Sequence, residues 1–146
     1  DEAHHSQAIE AILMTNIAGV FFTALSFLPH LIRKNSKSEG QSSTNGKIAV
    51  ISSIMGSQER AGSNAPIYRA SKAAATNLAR SLAIELAPRG IAVGAYHPGW
   101  VRTDMGGPSA DVSPQESAAG LLSRFDQLNI ANTGVYESYN GEKLPF

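Results

Sequence analysis

The fold is decided by residues 48–72, which read IAVISSIMGSQERAGSNAPIYRASK. The stretch begins as a short apolar run without polar alternation, which is typical of a strand buried in a parallel sheet. Ser52 and Ser53 follow the run, and Tyr68 and Lys72 stand four residues apart at the start of an alanine-rich helix. Both of those side chains can project from one helix face. A serine at the end of a parallel strand can face them, because ligands bind at that end of such sheets.

Outside this stretch, helices and strands alternate along the chain. Apolar residues recur at helical spacing from Ser6 to about Lys34, which predicts one or two helices. The other predicted elements are a strand over residues 48–51, a helix over 67–87, a strand over 91–96, a helix from Ser113 to about Asp126 and a strand over 134–137. Ser113 followed by Glu116 predicts a capping box. The alternation predicts an α/β fold in which crossover helices connect the strands of a parallel sheet.

Composition excludes several classes of function. The chain has 146 residues, with 12 basic and 12 acidic side chains and no cysteine. Zero net charge and 16% charged residues indicate neither a disordered chain nor a nucleic-acid-binding surface. The lack of cysteine excludes disulfides, thiol catalysis and cysteine-based zinc sites, and fits a reducing, cytoplasmic location; no metal site is predicted. Ser26, Pro29 and His30 interrupt the longest apolar run, so no membrane span is predicted either.

The polar groups of the central stretch suit proton transfer. A tyrosine phenol has an ordinary pKa near 10, and an ammonium group nearby favours its ionised form. Tyr68 beside Lys72 would therefore exchange a proton with substrate, while a serine hydroxyl orients the carbonyl or alcohol oxygen. These groups handle the proton of carbonyl–alcohol interconversion, and the hydride must come from a nicotinamide cofactor. Taken alone, the Tyr–Lys spacing is weak evidence, because such pairs also arise by chance on helix surfaces.

Four motifs in a fixed order make the sequence similar to a known family. They are Asn16 within the first helical segment, residues 46–53, residues 68–74, and residues 97–105, which read HPGWVRTDM. With these motifs the chain resembles the short-chain dehydrogenase/reductases, whose fold is a Rossmann-like doubly wound parallel sheet. The motifs towards the end of the chain resemble the C-factor/sniffer-type carbonyl-reductase branch of that family.

The resemblance implies a role for each candidate site residue. Tyr68 would be the catalytic acid and base, and Lys72 would ease its ionisation; both would contact the nicotinamide nucleotide, Lys72 through the ribose hydroxyls. Ser53 would polarise the substrate carbonyl, and Asn16 would hold a water in a proton relay through Lys72. The wall of the nicotinamide site would be formed by Pro98, Gly99, Val101 and Thr103.

The resemblance also implies a cofactor, NADP or NAD with NADP preferred, and a small carbonyl or alcohol substrate. However, the sequence has no glycine-rich turn for the pyrophosphate, and no residue that would read the adenosine ribose is identifiable. Residues 1–146 are therefore expected to form the C-terminal half of such a domain, with three strands. At about 30 residues per βαβ unit, on the order of 90 residues would be missing. The chain would be part of a longer enzyme or a truncated product, and inactive by itself.

Two other interpretations stay open. A non-catalytic or truncated protein of this fold would bind a ligand or act as a signalling factor, although binding alone does not require Asn16, Ser53, Tyr68 and Lys72 together. A sugar-nucleotide epimerase or dehydratase shares the Tyr and the Lys, but the region after Thr103 is short for its substrate domain. Members of the resembled family often pair through the helices that correspond to the first helical segment and the alanine-rich helix, which allows a homodimer or homotetramer.

Overall fold

A computed structural model describes residues 2–32 and 45–146. Within them, helices and strands follow the predicted order. The elements are α1 (Glu2–Leu13), α2 (Val20–Leu31), β1 (Gly46–Ile51), α3 (Pro66–Leu86), β2 (Ile91–His97), α4 (Pro114–Gln127) and β3 (Tyr136–Ser138). The last two residues of the predicted first helical segment, 33 and 34, lie outside the described residues.

The three strands form one parallel sheet in the order β1-β2-β3. The register runs from Gly46 opposite Ile91 to Ile51 opposite Tyr96, and β3 pairs with the carboxyl end of β2. Parallel neighbours require crossover connections, which α3 and α4 supply. The central strand, β2, is buried from Ile91 to Tyr96, as its continuous run of apolar and small residues predicts. The predicted α/β class is therefore confirmed.

Helices cover both faces of the sheet. Small side chains of α3, such as Ala75 and Ala79, let this helix pack closely against Val93 in the main core. Helices α1 and α2 join the same side, where Ala24 is part of that core. Helix α4 lies on the other face, where Phe125 packs edge-to-face on Tyr96 with ring centroids 5.0 Å apart. Helices on both faces of a parallel sheet are the doubly wound arrangement.

A π-helical turn, Met14–Gly19, joins α1 to α2 into one continuous helix. The turn contains Asn16, a residue that fits an α-helix interior poorly because its amide competes for backbone groups. π-Turns within α-helices are often found at functional sites. The sequence predicts no membrane span, but judged by length and composition alone His5–Leu31 could cross a membrane. Core helices of soluble proteins pass the same test, so this finding assigns no location.

Strand β1 differs from its prediction. Its sequence predicts burial on both faces, but Lys47, Ala49 and Ile51 are exposed and only Val50 is fully buried. Among the described residues no strand pairs with its outer edge. A groove of about 810 Å³ instead separates that edge from α2 and the π-turn. The composition of β1 is that of an inner strand, whereas its place in the described sheet is at the edge.

Helix α4 begins as predicted at Ser113, whose hydroxyl accepts a hydrogen bond from the backbone N–H of Glu116 at 3.1 Å. Only this half of the predicted capping box is present. The Glu116 carboxylate accepts from the Tyr139 hydroxyl, at 3.4 Å, rather than turning back to the start of its own helix.

Candidate active site

The carboxyl end of β1 presents Ser53. The strand ends at Ile51, and the chain passes through Ser53 in an extended conformation into a 3₁₀ turn, Ile54–Gly56. The Ser53 hydroxyl oxygen accepts from the Met55 N–H at 3.2 Å. Within the part of the chain that the structure describes, no acceptor lies within hydrogen-bond distance of its own proton. Ser53 is buried, so it can donate that proton to an incoming oxygen with little competition from water.

Tyr68 and Lys72 lie together on the first turns of α3. Pro66 opens this helix, where its fixed φ favours helical geometry and its missing N–H is not needed. The Lys72 Nζ lies 5.9 Å from the centre of the Tyr68 ring and donates to the Ile51 carbonyl at 3.1 Å. Half-burial lowers the pKa of Lys72 by penalising its charged form. The last carbonyl of β1 thus holds an ammonium group beside the phenol, and the predicted pairing of these two residues is observed.

A close approach at Gly56 fixes Ser53 relative to Lys72. A Cβ atom at Gly56 would lie 2.7 Å from the carbonyl carbon of Lys72, nearer than real Cβ contacts allow. The turn that follows Ser53 therefore rests directly on the backbone of α3 at the position of Lys72. Only glycine permits this contact.

Asn16 reaches the site through Ser71. Its Nδ2 donates to the Ser71 hydroxyl oxygen at 3.0 Å, and the Ser71 hydroxyl in turn donates to the Tyr68 carbonyl at 2.8 Å. Asn16 and Lys72 both line the groove along β1. The structure thus brings Asn16 next to the Tyr–Lys pair, and the water relay through Lys72 stays a prediction.

The loop after β2 starts at the same edge of the sheet, because the Ser52 N–H donates to the Tyr96 carbonyl at 2.8 Å. Gly99 has a φ of +88°, which favours glycine, and its Cα packs against the ring of Tyr139. The Pro98 carbonyl accepts from the Ser117 hydroxyl at 2.6 Å. Pro98 is therefore held by a residue of α4, and Gly99 packs against a residue of the chain after β3.

Further along this loop, Val101 forms a parallel bridge with Val112. Thr103 is exposed, and its hydroxyl accepts from the Gly106 N–H at 3.2 Å, which closes a turn. Both residues lie on the loop that leaves the carboxyl end of β2, where a ligand of a parallel sheet would bind. Their contact with a cofactor stays a prediction.

His97 ends β2 as a partly buried, neutral residue. Burial lowers its pKa to about 4; Glu142 opposes this shift and Arg60 adds to it. Its Nδ1 is buried and, within the described residues, has no hydrogen-bond partner. His97 therefore adds no positive charge to this edge of the sheet at neutral pH.

Sequence analysis missed several buried hydroxyl groups around the site. Ser71 and Thr76 on α3 and Ser117 on α4 were not singled out, although all three are buried. Helical spacing could have indicated Thr76, since it follows Lys72 by four residues and its hydroxyl donates to the Lys72 carbonyl. Ser71 and Ser117 offer no such signal, because single serines on helices are common and usually exposed.

The sequence is similar to those of known proteins. The family model for the short chain dehydrogenase matches residues 1–113. The C-signal of Myxococcus xanthus is 39% identical over 101 residues, which cover 68% of this chain and 61% of that protein. The 3-oxoacyl-[acyl-carrier-protein] reductase FabG of Staphylococcus aureus strain Mu50 is 33% identical over 132 residues, 89% of this chain and 49% of that protein.

Solved structures agree with the sequence matches. The carbonyl reductase Sniffer of D. melanogaster has a TM-score of 0.84 at 31% identity, over 97% of this chain and 58% of that one. An NADPH-bound carbonyl reductase from chicken fatty liver has a TM-score of 0.87 at 30% identity, over 96% and 55%. The chain thus spans between about half and three-fifths of the length of these proteins. It belongs to the short-chain dehydrogenase family and, within that family, resembles the Sniffer carbonyl-reductase branch.

Proposed function

We propose that the chain carries the proton-transfer half of an NAD(P)-dependent oxidoreductase that interconverts a carbonyl and an alcohol. One observation carries this proposal. Ser53 follows the carboxyl end of β1 and has no acceptor for its proton among the described residues, and the last carbonyl of β1 holds the partly desolvated Lys72 ammonium beside the Tyr68 ring. Binding a ligand does not require this set, whereas moving a proton to and from a substrate oxygen does.

The chemistry follows from these three side chains. In reduction, the Ser53 hydroxyl donates a hydrogen bond to the carbonyl oxygen of the substrate and polarises the C=O bond. The nicotinamide cofactor, when bound, supplies the hydride to the carbonyl carbon or takes it back. The Tyr68 phenol gives its proton to the oxygen, and the nearby Lys72 ammonium stabilises the phenolate that is left. Oxidation of the alcohol is the reverse of these steps.

The residues present fit the nicotinamide end of the cofactor. Lys72 has three N–H donors and uses one on the Ile51 carbonyl, which leaves two for ribose hydroxyls. The loop that contains Pro98, Gly99, Val101 and Thr103 leaves the carboxyl end of β2, where a ligand of a parallel sheet would bind. We propose NADP as the preferred cofactor, since relatives of similar structure are described as bound to NADPH or NADP.

The other end of the dinucleotide needs a phosphate-binding turn, and residues 1–146 contain no glycine-rich motif for one. The outer edge of β1 is unpaired among the described residues and faces the groove beside α2. We therefore propose that a further parallel strand adds at this edge and that the half of the fold which contains it holds the pyrophosphate.

A second candidate function is signalling without catalysis. The similarity to the C-signal supports it, because that relative is named for a signal rather than for an activity. We favour the enzyme, because Asn16, Ser53, Tyr68 and Lys72 are all present, Lys72 lies beside Tyr68, and Asn16 bonds to Ser71 on the same helix.

For the whole protein we propose a cytoplasmic location, a small-molecule substrate, and no nucleic-acid or membrane partner. Assembly as a homodimer or homotetramer is supported by large apolar side chains that α2 and α3 leave exposed, among them Phe22, Phe27 and Ile84. Sedimentation of the purified protein tests this assembly.

The proposed activity is tested by Tyr68→Phe in the whole protein, with oxidation of NADPH followed against a panel of aldehydes and ketones. Loss of the phenol should lower turnover by about 10³-fold, because general acid–base groups contribute on the order of 10²–10⁴-fold. Binding of NADPH, measured by fluorescence titration of the same variant, should stay within about threefold of the unmodified protein. Retained turnover would reject the assigned role of Tyr68.

A further inference from the structure

A second layer of buried hydroxyl groups lies behind the proposed proton-transfer site. Ser52 directly follows β1, Thr76 is on α3 and Tyr136 is in β3, and each is at most 3% exposed. Ser52 Oγ and Thr76 Oγ1 lie 2.5 Å apart, and the Lys72 carbonyl oxygen lies 3.1 Å from the former and 2.9 Å from the latter. These two hydroxyls tie the end of β1 to the backbone of α3 at Lys72.

Tyr136 anchors the next residue, Ser53. Its phenol donates to the Ser53 carbonyl, whose other partner is the Gly56 N–H at 2.8 Å. Tyr136 pairs with Ala95 in the sheet, so its side chain lies on the α3 side and reaches past β2 to the end of β1. Its ring packs 5.5 Å from that of Phe146, a contact that does not need the hydroxyl. The hydroxyl thus interacts with two groups, the Thr76 side chain and the Ser53 carbonyl, and the second of these is the backbone of the proposed catalytic serine.

Sheet pairing does not provide this contact. β1 ends at Ile51, so Ser53 lies beyond the last paired residue and its position is set by the turn and by side chains. The Gly56 N–H belongs to the same turn, which rests on the backbone of α3 at Lys72. Tyr136 is the group from outside this turn that fixes the Ser53 carbonyl, and it does so from a rigid, buried strand.

We propose that Tyr136 is a positioning residue, which holds the Ser53 backbone so that the Ser53 hydroxyl and the Tyr68 phenol meet on one substrate oxygen. This inference rests on the proposed oxidoreductase function. A small misplacement of a catalytic group is enough to reduce turnover strongly, so one hydroxyl outside the site can have a kinetic effect.

The test is Tyr136→Phe in the whole protein, which keeps the ring and removes only the hydroxyl. We expect kcat to fall by about tenfold, with KM and NADPH affinity within about twofold and the shape of the pH profile unchanged, because Tyr68 and Lys72 are intact. The matched control is Tyr96→Phe. Tyr96 is equally buried, but it packs on the α4 face, and its hydroxyl has no partner among the described residues. Its removal should leave kcat unchanged.

A second measurement does not depend on activity. In the 146-residue chain, NMR of Ser53 reports its carbonyl carbon shift and, through its Hα–Hβ couplings, the orientation of its hydroxyl. In Tyr136→Phe the carbonyl shift should move and the couplings should average, whereas Tyr96→Phe should resemble the unmodified chain. If the Ser53 signals stay unchanged, the proposal is overturned, and any loss of kcat is then a general effect on stability.

The two proposals fail in different ways. If the Ser53 signals move but kcat stays within twofold, Tyr136 anchors the serine without serving the reaction, and the positioning role is refuted. If the unmodified whole protein reduces no carbonyl compound, the proposed oxidoreductase function fails by itself, and with it the kinetic role of Tyr136; the NMR comparison then decides only whether the anchor exists.

Discussion

The side-chain amide of Asn16 donates to the Ser71 hydroxyl at 3.0 Å, across 55 residues of sequence. This bond connects the π-turn of the first helix to the helix that carries Tyr68 and Lys72. Asn16 is unfavourable in an α-helix, and this bond gives its side chain a definite partner. The oddity of Asn16 in the sequence and the widening of the helix around it therefore have one structural explanation.

The Asn16–Ser71 bond should be measurable as a coupling between two substitutions. Asn16→Ala and Ser71→Ala should each lower the free energy of unfolding, and the double variant should lose about 1 kcal/mol less than the sum, because the shared bond is lost once. Urea denaturation of the four chains measures this difference. Strict additivity would show that the two side chains do not interact in solution.

Gly56→Ala should destabilise the chain by about 2 kcal/mol, because the added methyl group would meet the rigid backbone of α3 at Lys72. The matched control is Gly19→Ala. There the new Cβ would lie 3.4 Å from the Met14 carbonyl oxygen, an ordinary van der Waals distance, and alanine favours helix by about 0.5–1 kcal/mol. Thermal unfolding ranks the two variants. A Gly56→Ala chain as stable as Gly19→Ala would contradict the close approach of the turn to α3.

His97 should make the chain sensitive to acid. Its pKa is lowered from 6.5 to about 4 in the folded state, so the unfolded chain binds more protons between these values. The titration of His97 therefore leaves the free energy of unfolding unchanged above about pH 6.5. Between that pH and about pH 4 it lowers the free energy of unfolding by roughly 2 kcal/mol, after allowance for solvent screening.

Denaturant unfolding at pH 7 and pH 4 tests this sensitivity. His97→Asn should lose less stability than the unmodified chain over that interval, since the titrating group is gone. His30→Asn is the control, because His30 is exposed, and it should keep the sensitivity of the unmodified chain. Equal losses in all three chains would show that carboxylates alone account for the acid response.

The 146-residue chain by itself should bind neither NADH nor NADPH tightly. It contains the residues proposed for the nicotinamide end but no glycine-rich turn for the pyrophosphate. Fluorescence titration, with an NADPH-binding relative as positive control, should show no saturation in the micromolar range. Micromolar affinity would contradict the assignment of the dinucleotide-binding turn to a different part of the fold.

Local patterns were sufficient to predict much of the fold. The buried run of β2, the alanine-rich α3 and the serine cap of α4 each depend on residues within one element, so sequence alone indicates them. The burial of β1 was predicted wrongly because it depends on other elements of the fold. Burial of a strand depends on the elements that cover its two faces, and in β1 the exposed residues Lys47, Ala49 and Ile51 alternate along the strand and therefore share the face opposite the α3 core.

In the candidate site, too, local contacts could be predicted from the sequence and long-range contacts could not. Tyr68 and Lys72 are joined by helical spacing and could be paired from the sequence. The bond from Tyr136 to Ser53 spans 83 residues and joins two strands that are not neighbours in the sheet. A tyrosine in a short terminal strand is an ordinary core residue by pattern, so only the folded chain reveals the direction of its hydroxyl.

The π-turn also determines how the first helix tolerates changes in length. Each α-helical residue advances the chain by about 100° around the axis, and a π-turn contains one residue more than an α-turn. The π-turn takes up that extra residue locally, so α1 and α2 remain one helix although the spacing of their side chains shifts by one residue. Deleting one residue between Met14 and Gly19 would give a uniform α-helix and leave α1 in place against α3. Deleting one residue within α1 would instead rotate the residues on one side of the deletion by about 100° relative to those on the other, so the first helix tolerates a change in length better at the π-turn than within α1.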